Sequence, residues 1–430
     1  MKKFSIYALA IGLLLSLTNS PHANALATSG PGNRIHGLDI SKWQHPYGKP
    51  INFTKMAKAG ISFVMIKGGD GHDPSDATAY KNLKIDRAAA QAAGIYTGFY
   101  YYAYLPDSTI KGFVIADAQA QALKAVWRLA SIGGYSDMDL PIALDIENNC
   151  VRPKSNGGCA KYMNKQLISL WTQTWLDTVK ERTTKKPFVY SYAQFLQTAM
   201  VRSKTLATYP LWIANYVKTP ATSEPGKKIV GCFAHAWTKG NCTTQWQIWQ
   251  YSSCGIGAKY GIPTNRVDLN VFSGGEEAFL NLVKGTWEPD LTDFLPENES
   301  TTISLVSSSS KTTNDPVQFV VDVARPDGTP VVTGEVALKS IDSQTVLGVQ
   351  KLIRSATGRW TLNITKLPAA TYQAIVEFSD PTGTHALSQL PVIFTVKQGA
   401  TPTPAPSPSP TKKPAPKPKP VDSCANQIRN

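Results

Sequence analysis

Asp145 and Glu147 stand two residues apart at the end of the stretch Pro141-Ile-Ala-Leu-Asp-Ile-Glu147. As a β-strand, this stretch puts Ile142, Leu144 and Ile146 on one face and Ala143, Asp145 and Glu147 on the other, because strand side chains alternate with a period of two. Two carboxylates on one face repel each other and each resists losing water, so stability alone seldom ends an apolar strand this way. Glycosidic bond cleavage uses such a pair: one carboxyl protonates the leaving oxygen and a second group answers the positive charge that develops on the sugar. Solvated strand ends carry paired acids too, so the rest of the chain has to decide between the two.

Eight short apolar or aromatic runs could position the pair: residues 35–41, 63–67, 96–102, 141–147, 188–192, 211–216, 245–251 and 267–272. Between the early runs, residues 80–93, 112–132 and 161–182 are long enough for crossover helices and rich in Ala, Leu, Gln and Lys. Later connections are shorter, which predicts an α/β barrel whose final strands lack complete helices. In such a barrel, chemistry gathers at the carboxyl ends of the strands. The first strand delivers Asp39 there, on one face with Ile35, Gly37 and Ser41, and the eighth delivers Asp268. Tyr100, Tyr102, Tyr190, Trp212 and Trp249 fall on the same strands. Single rings of this kind are more often core than sugar platforms. Their coincidence with four strand-end acids points to a carbohydrate cleft.

Composition sets the frame. Met1-Lys2-Lys3, an apolar run through Leu15 and then Ala23-Asn24-Ala25 have the three parts of a secretory signal peptide, with the mature chain beginning near Leu26. No later run is long enough to span a membrane, so a secreted protein, extracellular or cell-wall associated, is expected. All six cysteines, Cys150, Cys159, Cys232, Cys242, Cys254 and Cys424, lie in the exported part, where disulfides are permitted. Cys150 with Cys159 and Cys232 with Cys242 are close enough in sequence to staple loops, although six cysteines allow 15 connectivities. The cysteines lack paired C-x-x-C spacing and the histidines are scattered, so neither a metal nor a cofactor is expected. The formal charge is +14, or +12 without Lys2 and Lys3. With dispersed basic residues and no nucleic-acid module, it argues against nucleic acid and for anionic cell-wall polymers as a partner.

The strand motifs taken together carry a resemblance. His36-Gly-Leu-Asp-Ile-Ser-Lys-Trp-Gln44, Phe63-Val-Met-Ile-Lys-Gly68, Gly98-Phe-Tyr-Tyr-Tyr-Ala103, Leu144-Asp-Ile-Glu147, Leu211-Trp-Ile-Ala214, Trp249-Gln-Tyr-Ser252 and Val267-Asp-Leu-Asn270 resemble, in order, the family 25 glycoside hydrolases, the Chalaropsis-type muramidases. The match runs from about residue 34 to 284. It implies an irregular TIM-like barrel of five β/α units plus three strands, and hydrolysis of the β-1,4 bond between N-acetylmuramic acid and N-acetylglucosamine in peptidoglycan. It implies Glu147 as catalytic acid, Asp145 as its companion, Asp39 and Asp268 as further acids of the site, and Tyr100, Tyr102, Tyr190 and Trp212 as substrate-binding residues. The third-strand motif reads Tyr-Tyr-Tyr where the family often has a His, and the cysteine-bearing loops 148–160 and 231–243 are additions to its pattern. For the mechanism, an ionised Asp145 would raise the pKa of Glu147 by repulsion. Asp145 could then steer the substrate's own acetamide to attack, with retention, or activate water with inversion, a task Asp39 could also perform.

Beyond residue 285 the pattern changes. Residues 286–300 read as a connector, and 301–398 hold seven short alternating runs with turn signals such as Pro326-Asp-Gly328, predicting an all-β sandwich that resembles bacterial Ig-like repeats. Residues 399–430 form a Pro/Lys-rich disordered tail in this reading, whose Cys424 is left to pair with a cysteine of the catalytic domain or with another chain. The division expected is therefore signal peptide 1–25, catalytic barrel 26–285, connector, sandwich and tail, in a monomer. Two rivals remain: a chitinase-like glycosidase, which also ends a strand in D-x-E, and a wall-binding protein whose barrel is inactive.

Overall fold

The computed structural model describes residues 25–71, 75–227, 233–235, 243–290, 300–309, 312–313, 315–340, 346–352, 357–364, 367–380, 385–399 and 424–428. The expected signal segment up to residue 24, the Cys232 and Cys242 pair, most of the connector and most of the tail lie outside the described residues.

Ten strands belong to the first part of the chain: β1 His36–Ile40, β2 Phe63–Asp70, β3 Tyr96–Tyr102, β4 Ala143–Asp145, β5 Cys150–Pro153, β6 Cys159–Tyr162, β7 Phe188–Tyr192, β8 Leu211–Ala214, β9 Ile248–Ile256 and β10 Arg266–Phe272. Eight of them close a barrel in the order β1-β10-β9-β8-β7-β4-β3-β2. Neighbours from β1 through β9 run parallel, and β10 runs antiparallel to both β9 and β1. Parallel neighbours need crossovers. These are α1 Phe53–Lys58, α2 Ser75–Ala92, α3 Lys111–Ser131, α4 Lys165–Arg182 and the short α5 Ala193–Thr198. β9 and β10 form a hairpin, and after β10 comes α6 Glu276–Lys284.

Alternation sorts each strand between two apolar layers. Leu38, Ile40, Val64, Ile66, Leu144 and Ile146 face outward into the layer shared with the helices. Phe63, Met65, Tyr100, Ala143, Phe188, Tyr190, Trp212 and Ile248 fill the barrel interior. α3 turns Val114, Ala118, Ala122, Ala125 and Leu129 inward at helical spacing, so small side chains let it pack closely against α4. α4 starts where the Asn164 side chain accepts the amide of Leu167 at 2.9 Å, satisfying one of the free donors at a helix start. The amino end of the barrel is closed by α6, whose Phe279 ring meets Phe63, Tyr96 and Phe272. Its opposite end is thereby left for chemistry. Gly37 cannot carry a side chain, because a Cβ there would lie 2.3 Å from the Phe63 ring across the crowded interior.

The described part of the C-terminal region holds β11 Thr302–Ser309, β12 Val317–Ala324, β13 Gly334–Ser340, β14 Val346–Leu352, β15 Arg359–Ile364, β16 Ala370–Ser379 and β17 Ser388–Val396. They form a sheet β11-β12-β15 and a sheet β14-β13-β16-β17. The strict alternation of β12 and β15 buries Val317, Phe319, Val321, Trp360 and Leu362 against Val336, Val376, Phe378 and Phe394 of the other sheet. Phe319 meets Phe394 and Trp360 meets Phe378 edge-on across the gap.

The end of the expected tail departs from the disordered reading. Cys424 is disulfide-bonded to Cys254 of β9 and buried, and Gln427 and Ile428 hydrogen-bond to the barrel. Proline-rich composition describes the residues before this anchor and cannot report a covalent partner 170 residues away.

Candidate active site

The four acids named from the sequence come together at the carboxyl end of the barrel. Asp39 pairs in register with Asp268 across β1 and β10, and Asp145 lies beside Tyr102 of β3 and Tyr190 of β7. β4 itself ends at Asp145, and the backbone just beyond is gripped on both sides. The Ile146 amide donates to Tyr190 O at 3.0 Å and its carbonyl accepts from Ser191 Oγ at 2.5 Å, while Ala103 N donates to Asp145 O at 2.8 Å. Ile146 points outward, so Asp145 and Glu147 are held facing in. After Glu147 the chain enters the β5–β6 hairpin, stapled by the Cys150–Cys159 disulfide. Asp107 ties it to the loop before α3 by ion pairs of 2.7 Å to Arg152 and Lys161.

The surroundings of the acids differ. Asp39 is 5 % exposed and its Oδ2 accepts from Gln250 Nε2 at 2.8 Å and from Asn270 Nδ2 at 2.7 Å, while its carboxyl also hydrogen-bonds with Asp268. Asp145 is buried and its Oδ1 has no hydrogen-bond partner among the described residues. Glu147 is half-buried and nearer the mouth. Burial raises the pKa of all four. Asp39 is pushed up to about 6 by burial, against the lowering effect of its amide donors. Asp145 and Asp268 lie well above the usual carboxylate range, through burial first and then the charges of Glu147 and Asp39 respectively. Glu147 is raised by burial first and the charge of Asp39 second, and Lys67 pulls it back. The leading cause for Glu147 is thus burial, whereas the sequence suggested repulsion by an ionised Asp145. Asp145 resists ionisation as well.

A buried acid with a raised pKa destabilises the fold at neutral pH. Its unfolded form ionises near the ordinary value of 3.8 while the folded form keeps its proton to about 6, so stability falls across that window as pH rises. Asp39→Asn removes the penalty: its oxygen can keep both amide donors and its new amide can donate to Asp268. The variant is expected to be about 1–3 kcal/mol more stable than wild type at pH 7 and no more stable at pH 3.5, by denaturant melts at each pH.

The aromatic residues divide. Tyr190 and Trp212 lie 4.4 Å apart, ring centre to ring centre, and Tyr100 packs edge-on to Trp212. Trp212 is only 1 % exposed and donates through Nε1 to Asn270 Oδ1 at 2.8 Å, so it forms the floor beneath the acids and holds one of the amides on Asp39. Tyr102 is half-exposed beside Lys67, whose Nζ lies 4.8 Å from its ring centre and pairs with Asp70 at 2.7 Å. Trp249 faces away from the site, in the outer layer against Trp246 and Tyr251, because Gln250 takes the inward position on β9. Sequence reasoning passed over Gln250, Asn270, Tyr216 and Lys67. The first three form one network, with Tyr190 Oη and Tyr216 Oη both donating to Gln250 Oε1, at 2.9 and 2.8 Å. The signal was present for Lys67, a polar residue on the otherwise apolar inward alternation of β2, and for Asn270, two places after Asp268 on the inward alternation of β10.

The model of Glycosyl hydrolases family 25 matches residues 38–259. The chain belongs to this family. This family 25 chain is a glycoside hydrolase, and the resemblance to muramidases drawn from its strand motifs stands. It is 28% identical over 259 residues to the uncharacterized protein YegX of Escherichia coli, covering 59% of this chain and 75% of that protein. It is 26% identical over 266 residues to Lysozyme M1 of Streptomyces globisporus, covering 60% and 75%. It is 26% identical over 224 residues to the N,O-diacetylmuramidase of Arthroderma benhamiae, covering 49% and 84%. Among the described residues of the hydrolase, no helix is long and apolar enough to cross a membrane.

Proposed function

We propose that this hydrolase is an exported muramidase that cuts the β-1,4 bond between N-acetylmuramic acid and N-acetylglucosamine in peptidoglycan, with Glu147 as general acid and base and the substrate's acetamide as nucleophile. The observation that carries the reading is the inequality of the acids. Asp39 spends its acceptors on two amides and on Asp268, whereas Asp145 keeps a buried oxygen without a partner among the described residues, beside the more accessible Glu147. A buried unpaired acceptor is costly and asks for a donor. The N–H of a 2-acetamido group is such a donor.

The steps follow from that placement. Protonated Glu147 gives its proton to the glycosidic oxygen as the bond to C1 breaks. The acetamide oxygen bonds to C1, and Asp145 accepts the acetamide N–H and answers the positive charge of the resulting oxazolinium. Water then attacks C1 as the bond from C1 to the acetamide oxygen breaks and the acetamide re-forms, while Glu147, now a carboxylate, takes a proton from the water, so the β configuration is retained. Substrate binding also sorts the protons of the pair, since a hydrogen bond from the acetamide favours charge on Asp145 and leaves the proton with Glu147. Inversion needs an acid free to activate water, and the hydrogen bonds on Asp39 make it a poor candidate.

Export is supported by the N-terminal pattern and by two disulfides, which suit an oxidising compartment. The C-terminal β unit, read as an Ig-like sandwich, serves in this account as a spacer or wall-binding module on a monomeric enzyme, with the basic chain favouring anionic wall polymers. Release of reducing ends from purified peptidoglycan but not from chitin is expected. Equal release from chitin would favour a chitinase-like enzyme, and co-sedimentation with walls without release would favour a binding protein.

A further inference from the structure

β9 is irregular where it leaves the site. Its partners on β10 run Gly255 with Val267, Ser252 with Leu269 and Gln250 with Asn270, so three steps of β9 face two of β10 and then two face one. These are two bulges, and a bulge takes backbone groups out of the ladder and leaves them needing other partners. The chain's far end supplies a partner for one of them, the Ser253 amide, and braces the groups beside it. Gln427 Oε1 accepts from the Ser253 amide at 2.7 Å, the carbonyl of Ile428 accepts from Ser252 Oγ at 2.7 Å, and the Ile428 amide donates to Val217 O at 3.2 Å. Ile428 and Val217 pack on the main apolar layer, and Cys424 is buried in its disulfide with Cys254.

The two places gripped in this way immediately follow the residues that hold Asp39. Val217 follows Tyr216, and Ser252 and Ser253 follow the Gln250-Tyr251 pair; Val217 N also donates to Tyr251 O at 3.3 Å, joining the two shoulders. Tyr216 Oη fixes the oxygen of the Gln250 amide at 2.8 Å, which turns its nitrogen towards Asp39. We propose that residues 424–428 are a built part of the active-site rim, in which Gln427 and Ile428, latched by the Cys254–Cys424 disulfide, are positioning residues that hold Tyr216 and Gln250 in register with Asp39. This deepens the muramidase reading and rests on it for the role of the site, though the juxtaposition itself does not.

The test reads Asp39 directly, by carboxyl carbon NMR titration of the full chain, so that it holds whatever the substrate. The groups facing Asp39 are Asp268, Asp145, Glu147, Tyr100, Tyr190 and Tyr216, and all remain in every variant. Since the Gln250 donor lowers the Asp39 pKa, loosening it in Gln427→Ala, and in the double variant Cys254→Ala with Cys424→Ala, is expected to raise the Asp39 midpoint by about half a unit or more. Peptidoglycan cleavage is expected to drop about tenfold in the same variants, measured well below their melting temperatures. Asn426→Ala, exposed on the same segment, is the control and should leave the midpoint in place. A lowered melting temperature with an unmoved Asp39 midpoint in both variants would overturn the proposal and leave the segment a mere anchor. A wild-type protein that leaves peptidoglycan intact would sink the muramidase reading instead, while the titration would still decide this one.

Discussion

Glu147→Gln is expected to fold as wild type does and to lose nearly all hydrolysis, by about 10²–10⁴-fold or more, since a positioned general acid is typically worth that much and acts here with other groups. Glutamine keeps the shape and cannot give a proton. The backbone grips on Ile146 from Tyr190 and Ser191 do not depend on the Glu147 side chain, so the site around it should persist. The pH profile adds a second reading. The required form of Glu147 is protonated and burial raises its pKa above that of an ordinary glutamate, so activity should fall as pH rises through a limb above that ordinary value. Residual activity in the glutamine variant should lack that limb. Wild-type clearing of cell walls by the variant would mean that another group supplies the proton.

Asp145→Asn carries the other large effect. If Asp145 steers the acetamide, the loss falls on kcat, by about 10²-fold or more, with a smaller change in KM, because the charge it answers exists only near the transition state. Removing a buried acid with a raised pKa should also make the folded state more stable at neutral pH, the sign worked out for Asp39. Two observations on wild type belong with this variant. Glycan in which the attacking sugar lacks its acetyl group should resist cleavage, and the first-formed product should be the β anomer by proton NMR. An α anomer at early times would exclude retention.

How far the sequence reaches can be followed residue by residue. Alternation in eight short runs located all eight barrel strands, because a strand buried on both faces leaves a compact apolar signature bounded by turns. It also put Asp39 on one face with Gly37 and Asp145 on one face with Ala143, the faces that turn inward, since period two is enforced by backbone geometry alone. What alternation misses is depth and register. Trp212 was expected as a cleft residue, and its role as a buried floor depends on Tyr100, Tyr190 and Asn270 meeting it from other strands. Trp249 faces outward by the same alternation, since Ile248 and Gln250 on either side of it point in and the bulges of β9 come only after Gln250. Gln250 and Asn270 became legible only when the closed barrel put both amides on one carboxylate oxygen. The anchoring of residues 424–428 is the extreme case: Cys424 offered pairing with a catalytic-domain cysteine or another chain, but neither Cys254 as its partner nor the contacts of Gln427 and Ile428 could be read across 170 residues.

The central claim is that these acids cut after N-acetylmuramic acid. The direct test is to digest purified peptidoglycan, reduce the new ends with borohydride, hydrolyse fully and identify the reduced amino sugar. The account predicts muramitol, released by wild type and almost absent with Glu147→Gln. Glucosaminitol as the main product, or no new reducing end at all, would contradict it.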